Sequence, residues 1–338
     1  MRLAEIAVRK VGLDLSMPPG RSPPPVLPSL WGQRHFSRSG RYNLLVRQLT
    51  LHLRSILPVG ALLLAMISVQ SGASIAKTLF PIAGPVGIVT VRVGFGTLIL
   101  CLALRPWRAR IRREAWPPLV VYGLALGTMN FLYYQALDRL PVGIAVAVEF
   151  IGPLTVAVLS SRRSIDFLWI AIAAAGFVLL LPVLPQGRQS SVTGILFALG
   201  AGACWGLYIV FGQRAGNHLG TQTVALGSVI SALLIVPFGL LHARSALFSR
   251  DVLLPGLAVA LLSTALPYTL EMIALTRLPT RTFGVLMSLE PAVGTLAGWL
   301  LLQERLTVWQ CSAIALVMSA SIGATATARQ NMAAPVPD

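Results

Sequence analysis

The sequence predicts an all-α membrane protein of ten transmembrane helices arranged as two inverted five-helix repeats, and three observations lead there. Of 338 residues, 55% are hydrophobic and only 11% charged, whereas an average soluble domain is roughly 25% charged, so too few charges exist to cover a water-facing surface. The apolar residues gather into ten blocks of 18 to 21 residues, and the mean hydropathy is +0.76. Finally, two 18-residue segments set a constant 138 positions apart share six identical residues, both prolines among them.

In chain order the blocks are 56–76, 85–104, 117–137, 142–160, 167–184, 192–212, 221–241, 252–272, 282–302 and 308–327. At about 1.5 Å per residue each is long enough as an α-helix to cross a ~30 Å hydrocarbon layer. Lipid leaves backbone polar groups without water, so only helices and closed barrels span it. Barrel strands would be about ten residues long with alternating polarity. Residues 1–54 differ: they are rich in Pro, Arg and Ser, contain the run Arg21-Ser-Pro-Pro-Pro-Val-Leu-Pro, and hold no apolar block. They are expected to be a disordered basic leader. Residues 329–338 are expected to be a short tail.

Orientation follows from Lys and Arg. With the N-terminus in the cytoplasm, that side carries nine basic residues in the leader, five in the 105–116 loop, two in 161–166, one in 213–220, two in 273–281 and Arg329. The other side carries Lys77, Arg139, Arg188, Arg244, Arg250 and Arg305. The positive-inside rule therefore places both termini in the cytoplasm of a multi-pass inner-membrane protein. The net charge of +16 then reads as a topology signal beside anionic lipid, with no nucleic-acid partner.

The repeated string is ALDRLPVGIAVAVEFIGP at 136–153 and ALTRLPTRTFGVLMSLEP at 274–291. Ala136, Leu137, Arg139, Leu140, Pro141 and Pro153 recur 138 positions later as Ala274, Leu275, Arg277, Leu278, Pro279 and Pro291. Each copy joins the third and fourth spans of a five-span unit, which divides the chain into 55–186 and 190–328. An odd number of spans inverts the second unit in the membrane, an architecture associated with alternating access around a midplane site.

Charges inside the spans are few: Arg92, Glu149, Glu271 and Glu290. A charge near the bilayer centre costs about 3 kcal/mol or more, so such residues face a partner or a pathway. Glu149 and Glu290 enter from opposite sides and reach similar depth, roughly 10–12 Å. Pro153 and Pro291 are expected to break the helices beside them and free backbone carbonyls. Arg92 can bind a substrate carboxylate, neutralise Glu149, or pin two helices together. Glu271 can reach water or pair with Arg277 or Arg281, and Lys77 is expected to snorkel as an anchor. Gln70, Asn130, Tyr133, Tyr134, Tyr268 and Trp205 offer amide, hydroxyl and ring surfaces to a zwitterion. Interfacial anchoring and helix packing are the alternative uses of such residues.

Chemistry of other kinds finds no support. There is no HExxH, G-x-S-x-G or Walker A string, and the four histidines lie in the leader or at span ends, so neither an enzyme nor an ATP-driven pump is expected. Cys101, Cys204 and Cys311 lie in different spans without metal-ligand spacing. They read as packing residues, and no metal or cofactor is expected.

Four strings carry a family resemblance: ISVQSGASIAKTLFPIAGPVGIVTVRVGFGTLIL, GIAVAVEFIGPLTVAVLSSRR, LGAGACWGLYIVFGQRAG and STALPYTLEMIALTRLPTRTFGVLMSLEPA. Over roughly 55–325 the sequence resembles the bacterial threonine and homoserine exporters of the drug/metabolite transporter superfamily. The resemblance implies two EamA-type repeats and efflux of threonine, homoserine and related small amino acids, coupled to protons. A broader drug or metabolite exporter of the same superfamily is the rival reading. The leader has no counterpart in that pattern.

Overall fold

The computed structural model describes residues 36–159, 164–180, 189–243, 247–275, 277–278 and 280–327. The chain divides into two units, residues 1–52 and 53–338. The second unit is a helical bundle, with no strand among the described residues.

Thirteen helices follow one another: α1 (Phe36–Thr78), α2 (Phe80–Leu104), α3 (Trp116–Leu137), α4 (Val142–Glu149), α5 (Ile151–Leu159), α6 (Ser164–Leu180), α7 (Gln189–Leu219), α8 (Gln222–Ala243), α9 (Arg250–Ala260), α10 (Leu266–Leu275), α11 (Thr280–Met287), α12 (Glu290–Leu302) and α13 (Val308–Thr327). One π turn, Leu261–Ala265, joins α9 to α10 without interruption. Each expected block falls on one helix or on two in tandem, with 160 and 181–184 outside the described residues. Among the described residues seven helical stretches are long and apolar enough to cross a membrane, and Val142–Val156 and Phe167–Leu179 are shorter apolar helices. Helix α3 has the length, but Asn130, Tyr133, Tyr134 and Gln135 make it more polar.

The protein is thus an all-α membrane protein. Its outward faces carry exposed Leu102, Phe167, Leu233 and Val308, a surface that suits lipid and would be costly in water. Cys101 and Cys204 are half-buried, but Cys311 is exposed, which corrects its expected packing role. The leader needs a correction too. Residues 1–35 lie outside the described residues, but helix begins at Phe36, within the segment expected to be disordered. The stretch 41–57 contains neither Gly nor Pro and is rich in Leu and Arg, both good helix formers. The expected tail 329–338 lies outside the described residues.

Inside the bundle α3 packs along α7 and α8, α2 along α8 and α9, α6 along α13, and α4 against α12. Small residues let these helices approach closely, as expected where lipid removes the hydrophobic drive between helices. Gly152 faces Gly202 so closely that a Cβ on Gly152 would run into the Gly202 carbonyl.

Two spans are broken, and both breaks fall at the same place in the repeat. Helix α4 ends at Glu149 and α5 begins at Ile151, leaving Phe150 between them. Helix α11 ends at Met287 and α12 begins at Glu290, leaving Ser288 and Leu289. Phe150 and Ser288 are 138 positions apart, the offset of the repeated string. Each break lies one turn before a proline: Glu149 and Met287, the last residues of α4 and α11, stand four residues before Pro153 and Pro291, which offer their carbonyls no N–H. Both prolines sit in the first turn of the following helix, where a missing N–H is tolerated.

Candidate functional site

Six side chains from five elements meet in the middle of the bundle. Gln70 of α1 donates its Nε2–H to Glu290 Oε1 at 3.1 Å, and Tyr133 of α3 donates its hydroxyl to Gln70 Oε1 at 3.4 Å. Glu290 Oε2 is buried without a hydrogen-bond partner. Glu149, at the end of α4, has Glu290, Arg92 and Tyr133 as electrostatic neighbours. Arg92 of α2 lies over the Tyr134 ring, 5.3 Å from its centroid, and the two tyrosine rings meet edge to face at 6.3 Å.

The Arg92 anchor has a local cause. Pro267 lacks the N–H that would bond Ser263 O four residues back, and the helix widens there into the π turn. The freed Ser263 carbonyl accepts a bond from Arg92 Nη2 at 2.8 Å, and Thr264 Oγ1 accepts one from Nε at 3.3 Å. Arg92 therefore pins α2 to the π turn and does not neutralise Glu149 through an ion pair. Ion pairs among the described residues are Lys77–Glu304 and Arg139–Asp138. Three charged groups, Arg92 at 5%, Glu149 at 7% and Glu290 at 8% exposure, are thus almost closed off without direct pairing.

The remaining expected residues divide. Tyr268 has Arg92, Glu271 and Asn130 as polar neighbours, while Asn130 Nδ2 donates to Leu126 O at 2.8 Å. Glu271 is half-buried beside Tyr208 and Tyr122, whose rings stack at 4.9 Å. Its expected partner Arg277 is exposed and forms no ion pair with it. Arg281's side chain lies outside the described residues. Trp205 packs edge to face on Phe150 at 5.4 Å and so supports the first break, beside Glu149.

Sequence reasoning passed over Ser263, Thr264, Tyr122 and Glu304. Pro267 inside an apolar block is the signal for the first two, because a proline there frees a carbonyl one turn earlier. Lys77, expected as a snorkelling anchor, instead turns to Glu304, with Nζ 2.7 Å from Oε1.

A lipid-facing helical bundle with buried charges beside tandem helix breaks has the build expected of a membrane transporter, and the comparisons with known proteins place it in that class. The profile of the EamA-like transporter family matches residues 192–326. The chain is 53% identical over 274 residues to "Threonine/homoserine exporter RhtA" of Escherichia coli strain K12, covering 81% of this chain and 93% of that protein. The same identity and coverage hold for the protein of that name in Salmonella typhimurium strain LT2. "Uncharacterized transporter YwfM" of Bacillus subtilis is 28% identical over 264 residues, covering 75% of this chain and 88% of that protein. A solved structure titled only "Crystal structure of protein" aligns at a TM-score of 0.59 with 22% identity, covering 82% of this chain and 98% of that one; it shows a shared fold. The chain belongs to the EamA-like transporters of the drug/metabolite superfamily, in their RhtA-type branch. It is a multi-pass membrane transporter and not an enzyme.

Proposed function

We propose that this protein exports threonine, homoserine and related small amino acids across the inner membrane as a proton-coupled secondary transporter. The observation that carries the reading is the central cluster: a buried guanidinium in ion pair with no carboxylate among the described residues, and a carboxylate with one free oxygen, around a common middle. A buried charge without a counter-charge is costly, and a zwitterion supplies both missing partners. Arg92 receives the substrate carboxylate. Glu290, oriented by Gln70 and Tyr133, receives the ammonium through Oε2. The relatives named as threonine/homoserine exporters point to the same substrates.

Glu149 carries the proton. It ends α4, where the negative end of the helix dipole opposes an anion, whereas Glu290 opens α12, where the positive end supports one. A proton on Glu149 and the substrate ammonium on Glu290 both draw on the same two neighbouring carboxylates, so occupancy of one lowers the affinity for the other, a partial exclusion. That exclusion is the requirement for antiport.

The two carriers of motion are the five-helix units 55–186 and 190–328, inverted with both termini in the cytoplasm. The contacts support this: exchanging the first and second units maps α3 against α7 onto the π turn against α1, and α3 against α8 onto α9 against α2. The pairs α2 with α8 and α6 with α13 map onto themselves.

The test is efflux from proteoliposomes preloaded with threonine, homoserine or a panel of cationic drugs, with and without an inward proton gradient. Gradient-driven release of the two amino acids, with the drugs retained, is expected. Release of the drugs at equal rate would overturn the amino-acid reading in favour of a broad exporter.

A further inference from the structure

One end of the bundle is tied by a carboxylate that serves three chain segments at once. Glu304, in the turn between α12 and α13, pairs through Oε1 with Lys77 Nζ at 2.7 Å and accepts the Val142 N–H through Oε2 at 2.8 Å. Lys77, in the last turn of α1, also donates to Leu140 O at 2.6 Å, in the turn between α3 and α4. Both side chains are largely covered, at 22% and 15% exposure, so the pair is less screened than a surface ion pair.

The position of Glu304 is itself built. Gln303 takes a left-handed conformation at φ 56°, and the Glu304 N–H returns to Gly298 O at 3.1 Å. Gly298 leaves the room through which the carboxylate reaches Val142, since a Cβ there would meet Oε2. Thr307 and Gln310 then cap α13 reciprocally, at 2.8 Å and 3.3 Å. A carboxylate seated this firmly holds whatever it bonds.

What it bonds is the free end of a half-helix. Val142 opens α4, whose first N–H groups have no intrahelical acceptor and whose Pro141 cap gives no side-chain bond. The other end of this eight-residue helix is Glu149. A short rigid rod therefore connects the Glu304 ion pair to the proposed proton site. The opposite end of the bundle is built differently, because 138 positions beyond Lys77 stands Ala215.

We propose that Lys77 and Glu304 form the exit-side latch of the transporter, which closes the outer mouth in the present conformation and must part, releasing α4 from α12, before substrate leaves. This rests on the transporter orientation proposed above, with the α1 end, the α3–α4 turn and the α12–α13 turn facing outside.

The test is accessibility, which needs no substrate. In a chain with Cys101, Cys204 and Cys311 changed to Ser, Val146→Cys on α4 places a thiol below the latch, against Gly294. Right-side-out vesicles are treated with a membrane-impermeant maleimide. Labelling is expected to be slow with the latch intact, and about tenfold faster or more in both Lys77→Met and Glu304→Gln, since each removes one partner of a partly buried pair. Glu304→Gln keeps an oxygen for Val142 N–H, so it separates loss of charge from loss of fold. Lys77→Arg keeps the charge and should label slowly. Equal labelling of all four chains would overturn the latch, and a rise seen only with inside-out vesicles would overturn its placement at the exit. A rise from outside in a protein that does not export threonine would leave the latch standing and sink the substrate assignment instead.

Discussion

The two broken spans share a position in the repeat but are built from different materials. The first break is held by close packing: Phe150 sits on Trp205, and Gly152 meets Gly202 backbone to backbone. The second is held by hydrogen bonds: Ser288 Oγ lies 2.7 Å from Ser321 Oγ and donates to Gly284 O at 2.9 Å, while Gln70 holds Glu290. The carboxylates fall on opposite sides of the breaks, Glu149 ending one helix and Glu290 beginning another. Equivalent geometry thus presents one carboxylate to the negative end of a helix dipole and the other to the positive end, a difference of about 0.3–1 kcal/mol at each terminus. Two sites at similar depth need not do the same job.

The sharpest way to break that comparison is to neutralise each carboxylate separately. Glu149→Gln should bring proton-driven threonine efflux down to background while exchange of labelled threonine without a gradient survives. Glu290→Gln should impair both, with affinity roughly ten- to a hundredfold weaker, because a hydrogen bond to a charged group contributes about 1.5–3 kcal/mol. Proteoliposomes at matched protein content decide the matter. Identical behaviour of the two variants would remove the division of labour.

Smaller effects test how each break is held. Gly202→Val drives a side chain into the Glu149 carbonyl and should lower stability in detergent by about 1–3 kcal/mol, read as a fall in melting temperature. Gln70→Leu deprives Glu290 of its donor, and threonine affinity measured by exchange should fall about fivefold, for roughly 1 kcal/mol lost. Ser288→Ala should cost least, roughly 0.6 kcal/mol, the average for a hydrogen bond between membrane helices. A larger loss in Ser288→Ala than in Gly202→Val would reverse the assignment of packing to the first break and polar bonding to the second.

Legibility in the sequence followed the range of the interaction. The ten apolar blocks were readable because lipid imposes its demand on every span separately: about 20 apolar residues, each backbone group bonded within its own helix. The repeat was readable because Arg-Leu-Pro and the later proline persist at a fixed offset. Glu149, Glu290 and Arg92 stood out because charge is rare and costly in that setting. The helix between Phe36 and the first span was missed because composition near a Pro-rich leader hid a stretch with good local propensity.

Sequence alone therefore determined the class of protein, the number of apolar blocks, the doubled pattern and which charged residues lie within those blocks. Tertiary structure decided their partners. Arg92 reaches a carbonyl 171 residues away, Gln70 reaches Glu290 across 220, and Lys77 reaches Glu304 across 227. No local pattern specifies such pairs, because which face of a helix meets which neighbour is set by packing of the whole bundle. The proline that frees Ser263, the glycine that admits Glu304 and the paired breaks become meaningful only once the facing helix is in place.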